Sequence, residues 1–304
     1  MQRPASGRDD DMTPILARPQ AMWRRVLLFP ATRLVLLGGS LFLMLAQSNA
    51  FMEAFAATPW KAIAATMAMA GAGMALYIGF VRLVERRAVA ELALPCMGRE
   101  LGIGLALGAG LYAACVLVLM AAGSYRIEGL NPWSFLLPAV PMTINSAVFE
   151  ELLFRGAVFR ILEEWLGSWV ALVLSSLVFG FVHLLNPAGT VLGALFISVE
   201  AGLLLAAAYL LTRRLWMSMG FHAAWNYTQS AIFSGIVSGG DRDPGLIRSV
   251  IEGPAVLTGG SFGLEASVVA FVLCTTAGVV LLRLAIRRGR MVAAPWRRPA
   301  PASG

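Results

Sequence analysis

Apolar stretches of roughly 20 residues recur along this chain, and short polar connections separate them. This pattern constrains the fold more than any other feature. A backbone in lipid has no water to bond to, so each stretch must satisfy its own N–H and C=O groups as a helix. Eight such spans are expected: 32–50, 60–82, 101–122, 135–160, 169–186, 189–211, 215–235 and 265–286. The fold class is therefore all-α, an integral polytopic membrane protein. Composition agrees, at 58% hydrophobic and 13% charged, against about 25% charged in soluble domains.

No repeat of fixed period divides the chain. Residues 32–288 read as one transmembrane domain. They follow a polar arm, 1–31, rich in Arg, Asp and Pro, and precede a basic, Pro-rich tail, 289–304; both flanks read as disordered. The run "LVLLGGSLFLMLAQSNA" ends in small residues, but its arm and its apolar core are long for a cleavable signal.

Eight spans put both termini on one side. That side collects 20 of the 24 basic residues; Lys61, Arg126, Arg242 and Arg248 are the other four. The bias places both termini in the cytoplasm. The net charge of +7 then reflects topology and contact with anionic membrane lipid, not nucleic acid. The Ala-, Gly- and Arg-rich composition points to a bacterial inner (plasma) membrane. Cys96, Cys115 and Cys274 lack metal-ligand or disulfide spacing and read as small core residues.

Ionisable groups inside spans are costly and default to functional hypotheses. The fourth span carries Glu150, Glu151 and Arg155, the fifth His183, the sixth Glu200, and the seventh His222 with Asn226. Counted from the cytoplasmic ends, the depths are about 15–18 Å for Glu150 and Glu200, about 20 Å for His183 and about 10 Å for His222. Four helices can thus face one membrane-embedded polar cavity, expected to open towards the cytoplasm. Glu151 and Arg155 are four apart and can pair. Glu150 points about 100° away in an α-helix, which leaves it free for the cavity. Phe179 and Trp225 read as packing residues, and Glu163 and Glu164 as solvated.

Two chemistries fit these groups. A glutamate beside a histidine can deprotonate water, while a second histidine and an asparagine donate to an oxyanion. Alternatively His183 and His222, with a glutamate, could hold one divalent metal such as zinc. Both lead to amide hydrolysis. No H-E-x-x-H is present.

Three motifs then give a resemblance. "EELLFR" (Glu150–Arg155) matches E-E-x-x-x-R, "FGFVH" (Phe179–His183) matches F-x-x-x-H, and "HAAWN" (His222–Asn226) matches H-x-x-x-N. In order and placement they resemble the CPBP intramembrane proteases, a family that includes CAAX prenyl endopeptidases and Abi-like relatives linked to bacteriocin processing. The resemblance covers 135–270 well and the first three spans loosely. It also takes in "GGSFGLEAS", residues 259–267, as a Gly-rich entry to the last helix. It implies an eight-helix bundle with an embedded, metallo- or glutamate-dependent proteolytic site. Glu150 would activate water with His183, and His222 and Asn226 would stabilise the oxyanion. Glu151 would complete the catalytic group, with Arg155, Phe179 and Glu200 in supporting places.

The expected function is an intramembrane endopeptidase acting on a membrane-associated peptide or protein. Buried Glu and His also suit a proton-coupled transporter, but no pair of broken helices marks corresponding halves. A non-catalytic membrane adaptor of the same fold is the third reading. The sequence does not specify oligomeric state.

Overall fold

The computed structural model describes residues 22–297. Of the arm 1–31, the first 21 residues lie outside this range, and Met22–Leu28 is helical. Residues 298–304 of the tail also lie outside it.

Eight long helical segments make up the described residues: α1 (Pro30–Ala54), α2 (Pro59–Glu85), α3 (Met97–Ala121), α4 (139–166), α5 (Ser168–Leu185), α6 (Val191–Thr212), α7 (216–232) and α8 (Val268–Arg287). The protein is an all-α polytopic bundle, as the apolar pattern requires. Six of the segments are long and apolar enough to cross a membrane. The exceptions are α4, which carries Glu150, Glu151, Arg155, Arg160, Glu163 and Glu164, and the shorter α7. These two hold the first and third motifs. Both are buried by other helices, so their polar groups need not meet lipid.

The bundle has two distinct ends. At the end where the described residues begin and finish, arginines and glutamates interlock. Arg33 and Arg160 both bind Glu85, at 3.0 and 2.8 Å. Arg87 binds Glu91 at 2.8 Å. Arg213 binds Glu163, and Arg214 binds Glu100. Donating hydrogen bonds to the Glu100 carboxylate holds the Arg214 guanidinium above its ordinary pKa. Glu163 is therefore not solvated as expected; it is buried and accepts from Arg213 and Ser168. The Arg213–Glu163 and Arg214–Glu100 pairs tie the Arg213–Arg214 turn, which leads into α7, to α4 and α3.

At the other end lies a feature absent from the helical pattern. Strands β1 (Tyr125–Leu130) and β2 (Ile247–Ile251) pair antiparallel, with an irregularity between Ile127 and Gly129. They tie the α3–α4 connection to the α7–α8 connection. The Tyr125 hydroxyl donates to the Phe233 carbonyl at 3.0 Å, and burial pushes its phenol pKa up.

Helix α7 is seated against α3 by glycine. A Cβ at Gly104 would lie 2.8 Å from the Phe221 nitrogen, and one at Gly108 would lie 2.9 Å from the Trp225 nitrogen. The spacing "GLALG" is a small-xxx-small interface that lets two backbones touch. It fixes the height of His222, which lies between those two contacts.

Candidate active site

The three motifs converge. Helix α4 widens to π geometry over Ser146–Phe159, and α6 does so over Ser198–Gly202. Such turns occur at functional sites. In a π turn each residue advances less than the 100° of an α-helix. Glu150 and Glu151 still diverge. Glu151 is fully buried, whereas the Glu150 side chain keeps 19% exposure.

Glu151 is the hub. Its Oε1 accepts from Arg155 at 2.9 Å and lies 2.8 Å from His222 Nδ1. The expected Glu151–Arg155 pair is present, and His222 joins it. Arg155 also donates to the Ala201 carbonyl at 3.2 Å, and its guanidinium sits 4.3 Å from the centre of the Phe179 ring. Phe179 is thus more than packing. It stabilises Arg155 through its ring face, and its carbonyl lies 2.7 Å from His183 Nδ1. A carbonyl only accepts, so His183 Nδ1 carries a proton, and in the neutral ring Nε2 is the acceptor.

Glu150 Oε2 lies 3.8 Å from His222 Nε2, too far for a hydrogen bond, and has no other partner. Asn226 Nδ2 donates to Ser146 Oγ at 3.0 Å. Glu150, His183, His222, Asn226, Asn145 and Ser146 all line one cavity of about 600 Å³. Behind its wall lies a smaller cavity of about 30 Å³, lined by the same two histidines, Asn226, Glu200 and Glu265. That is room for about two waters. Glu200 Oε2 is buried without a partner there.

The cavity does not open where expected. Its lining starts near helix midpoints, at Phe42, Phe154 and His222. It runs to Glu53, Asn186 and Asp243, at the ends remote from the termini. The expectation counted depth from one end of each span only. His183 lies two residues from the far end of α5, about 3 Å along the axis.

Two polar contributors escaped the sequence reading. Glu265, in the "GLEAS" entry to α8, accepts from Trp225 Nε1 at 2.9 Å and from the Ser238 backbone at 2.6 Å. It pins α7 to the loop at the cavity mouth. Glu265 is the first residue of the expected last span, 265–286, and it reads there as part of a Gly-rich entry, not as a buried ionisable group like Glu200. Ser146 positions Asn226 from 80 residues away, and no local spacing reports it. Among the described residues, no group of three His, Cys, Asp or Glu converges as a metal-binding set.

No curated protein and no solved structure gives a significant match. Residues 132–228, the stretch that carries all three motifs, match the family model described as type II CAAX prenyl endopeptidase Rce1-like, so over its site this chain is similar to the CPBP-type intramembrane proteases.

Proposed function

We propose that this protein is a glutamate-dependent intramembrane endopeptidase of a bacterial inner membrane, with both termini cytoplasmic. The observation that carries this reading is the division between neighbouring carboxylates. Glu151 is held by Arg155 and His222, while Glu150 lines the cavity with its Oε2 hydrogen-bonded to no protein group and 3.8 Å from His222 Nε2.

In the proposed reaction Glu150 takes a proton from water as the oxygen attacks the scissile carbonyl carbon. His183 Nε2 accepts the water's other hydrogen bond and orients it. The oxyanion forms beside His222 and Asn226. Glu151 balances a proton on the His222 ring, so that Nε2–H becomes a donor. Asn226 Nδ2 has two N–H groups, one used by Ser146, and the second points the same role at the oxyanion. Glu150 then passes its proton to the leaving nitrogen as the C–N bond breaks.

The proposed steps use no metal. A zinc on His183 and His222 would need a third protein ligand, and among the described residues no group of three His, Cys, Asp or Glu converges. Detergent-purified protein tests the reading. The wild type should cleave members of a quenched-peptide library, and Glu150→Gln should not. Undiminished cleavage by a folded Glu150→Gln variant would remove Glu150 from the chemistry.

A further inference from the structure

The two ends of the bundle differ in charge and in access. The end at which the described residues begin and finish carries the interlocked arginines Arg33, Arg87, Arg160, Arg213 and Arg214, and the sequence assigns 20 of the 24 basic residues to that side of the membrane. The cavity opens at the opposite end. By the positive-inside rule that opposite end is extracytoplasmic.

Charge at the cavity is one-sided. Glu53, Asp241 and Asp243 line it together with Glu150, and among the described residues no lysine or arginine does. Arg242 sits between two of these carboxylates in sequence but is turned away. Its guanidinium donates to the carbonyls of Ser234 and Ser249, both at 2.9 Å. Deeper in, the lining residue Asn145 is 2% exposed; its Nδ2 donates to Asn49 Oδ1 at 2.6 Å, and its Oδ1 is buried without a hydrogen-bond partner. That oxygen is a buried acceptor awaiting an N–H donor. Phe42, Leu45, Leu153 and Phe154 supply an apolar wall beside it.

We propose that the cavity admits its substrate from the extracytoplasmic side, and that the substrate is an exported or membrane-anchored polypeptide in which a Lys- or Arg-bearing stretch adjoins an apolar one. The proposal rests on the endopeptidase reading and narrows it. The apolar stretch lies along α1 and α4. The basic side chains meet Glu53, Asp241 and Asp243, and an N–H of the chain reaches Asn145. A prenylated cytoplasmic tail is excluded, because it sits in the opposite leaflet. The rim charges are solvated, so their effect is selective and salt-dependent more than strong.

Two measurements test this on the full-length chain. In a Cys96→Ser background, Asp243→Cys should react with a membrane-impermeant maleimide on intact spheroplasts. Arg86→Cys should react only after permeabilisation. The reverse pattern overturns the proposal. In nanodiscs, the Glu150→Gln protein should bind a fluorescein-labelled Leu/Ala peptide ending in two lysines. Its affinity should be about ten-fold above that for a twin ending in two glutamates, at low salt. Adding Glu53→Gln, Asp241→Asn and Asp243→Asn should erase that preference. Equal binding of the two peptides also overturns the proposal. If the wild type cleaves no peptide while labelling and binding behave as expected, the endopeptidase reading falls and the sided, cation-selective cavity stands.

Discussion

The Glu151 carboxylate lies 2.8 Å from Nδ1 of His222, 71 residues further along the chain. The same oxygen takes the Arg155 guanidinium at 2.9 Å. One buried carboxylate thus joins the first motif to the third, and its neighbour Glu150 is left for the cavity.

Arg155→Ala should therefore destabilise the fold, since it strands the Glu151 charge and removes the cation from the face of Phe179. A loss of about 3–5 kcal/mol is expected for a dry site. Glu150→Gln should keep its thermal transition near that of the wild type and lose turnover. Equal stability losses in detergent unfolding experiments would contradict this division.

Asn226→Ala should lower kcat by about 10²–10³ with little change in KM, because an oxyanion donor acts mainly in the transition state. Ser146→Ala removes only the acceptor that orients Asn226. Its kcat loss should be smaller, and the double variant should be no worse than Asn226→Ala alone. Additive losses would show that Ser146 acts elsewhere.

Chelators should leave activity unchanged, and elemental analysis of active protein should find no stoichiometric zinc. One tightly bound zinc per chain, lost in both His183→Ala and His222→Ala, would reverse the assignment of His183 from water-orienting acceptor to ligand.

Gly108→Leu should displace α7, because its Cβ has no room beside the Trp225 nitrogen. Overpacking typically costs about 1–3 kcal/mol, and here it also moves His222. Activity should fall far more than stability. Gly110→Leu, where a Cβ meets open space on the same helix, is the control and should match the wild type.

Glu265→Ala should destabilise by leaving the Trp225 and Ser238 N–H groups unsatisfied, at about 1–3 kcal/mol each. Glu265→Gln, which keeps an acceptor oxygen, should recover part of that loss. Differential scanning fluorimetry in detergent reads both.

The apolar periodicity by itself determined the helices, because each span must satisfy its backbone internally wherever it sits in lipid. The Glu151–Arg155 pair was legible for a similar reason, since four residues along one helix are neighbours in any fold. The convergence of His183, His222 and Asn226 with Glu150 was legible only through the cost of polar groups in membrane and the resemblance of the motifs. Tertiary structure decided the rest. His222 meets Glu151, Ser146 meets Asn226, and Glu265 meets Trp225 only because α4, α7 and α8 pack together, and no local spacing encodes those distances. The direction of the cavity was misjudged on the same account. Depth along a single helix can be counted from either end, and only the packing of all the ends shows which one is closed by ion pairs and which is left open.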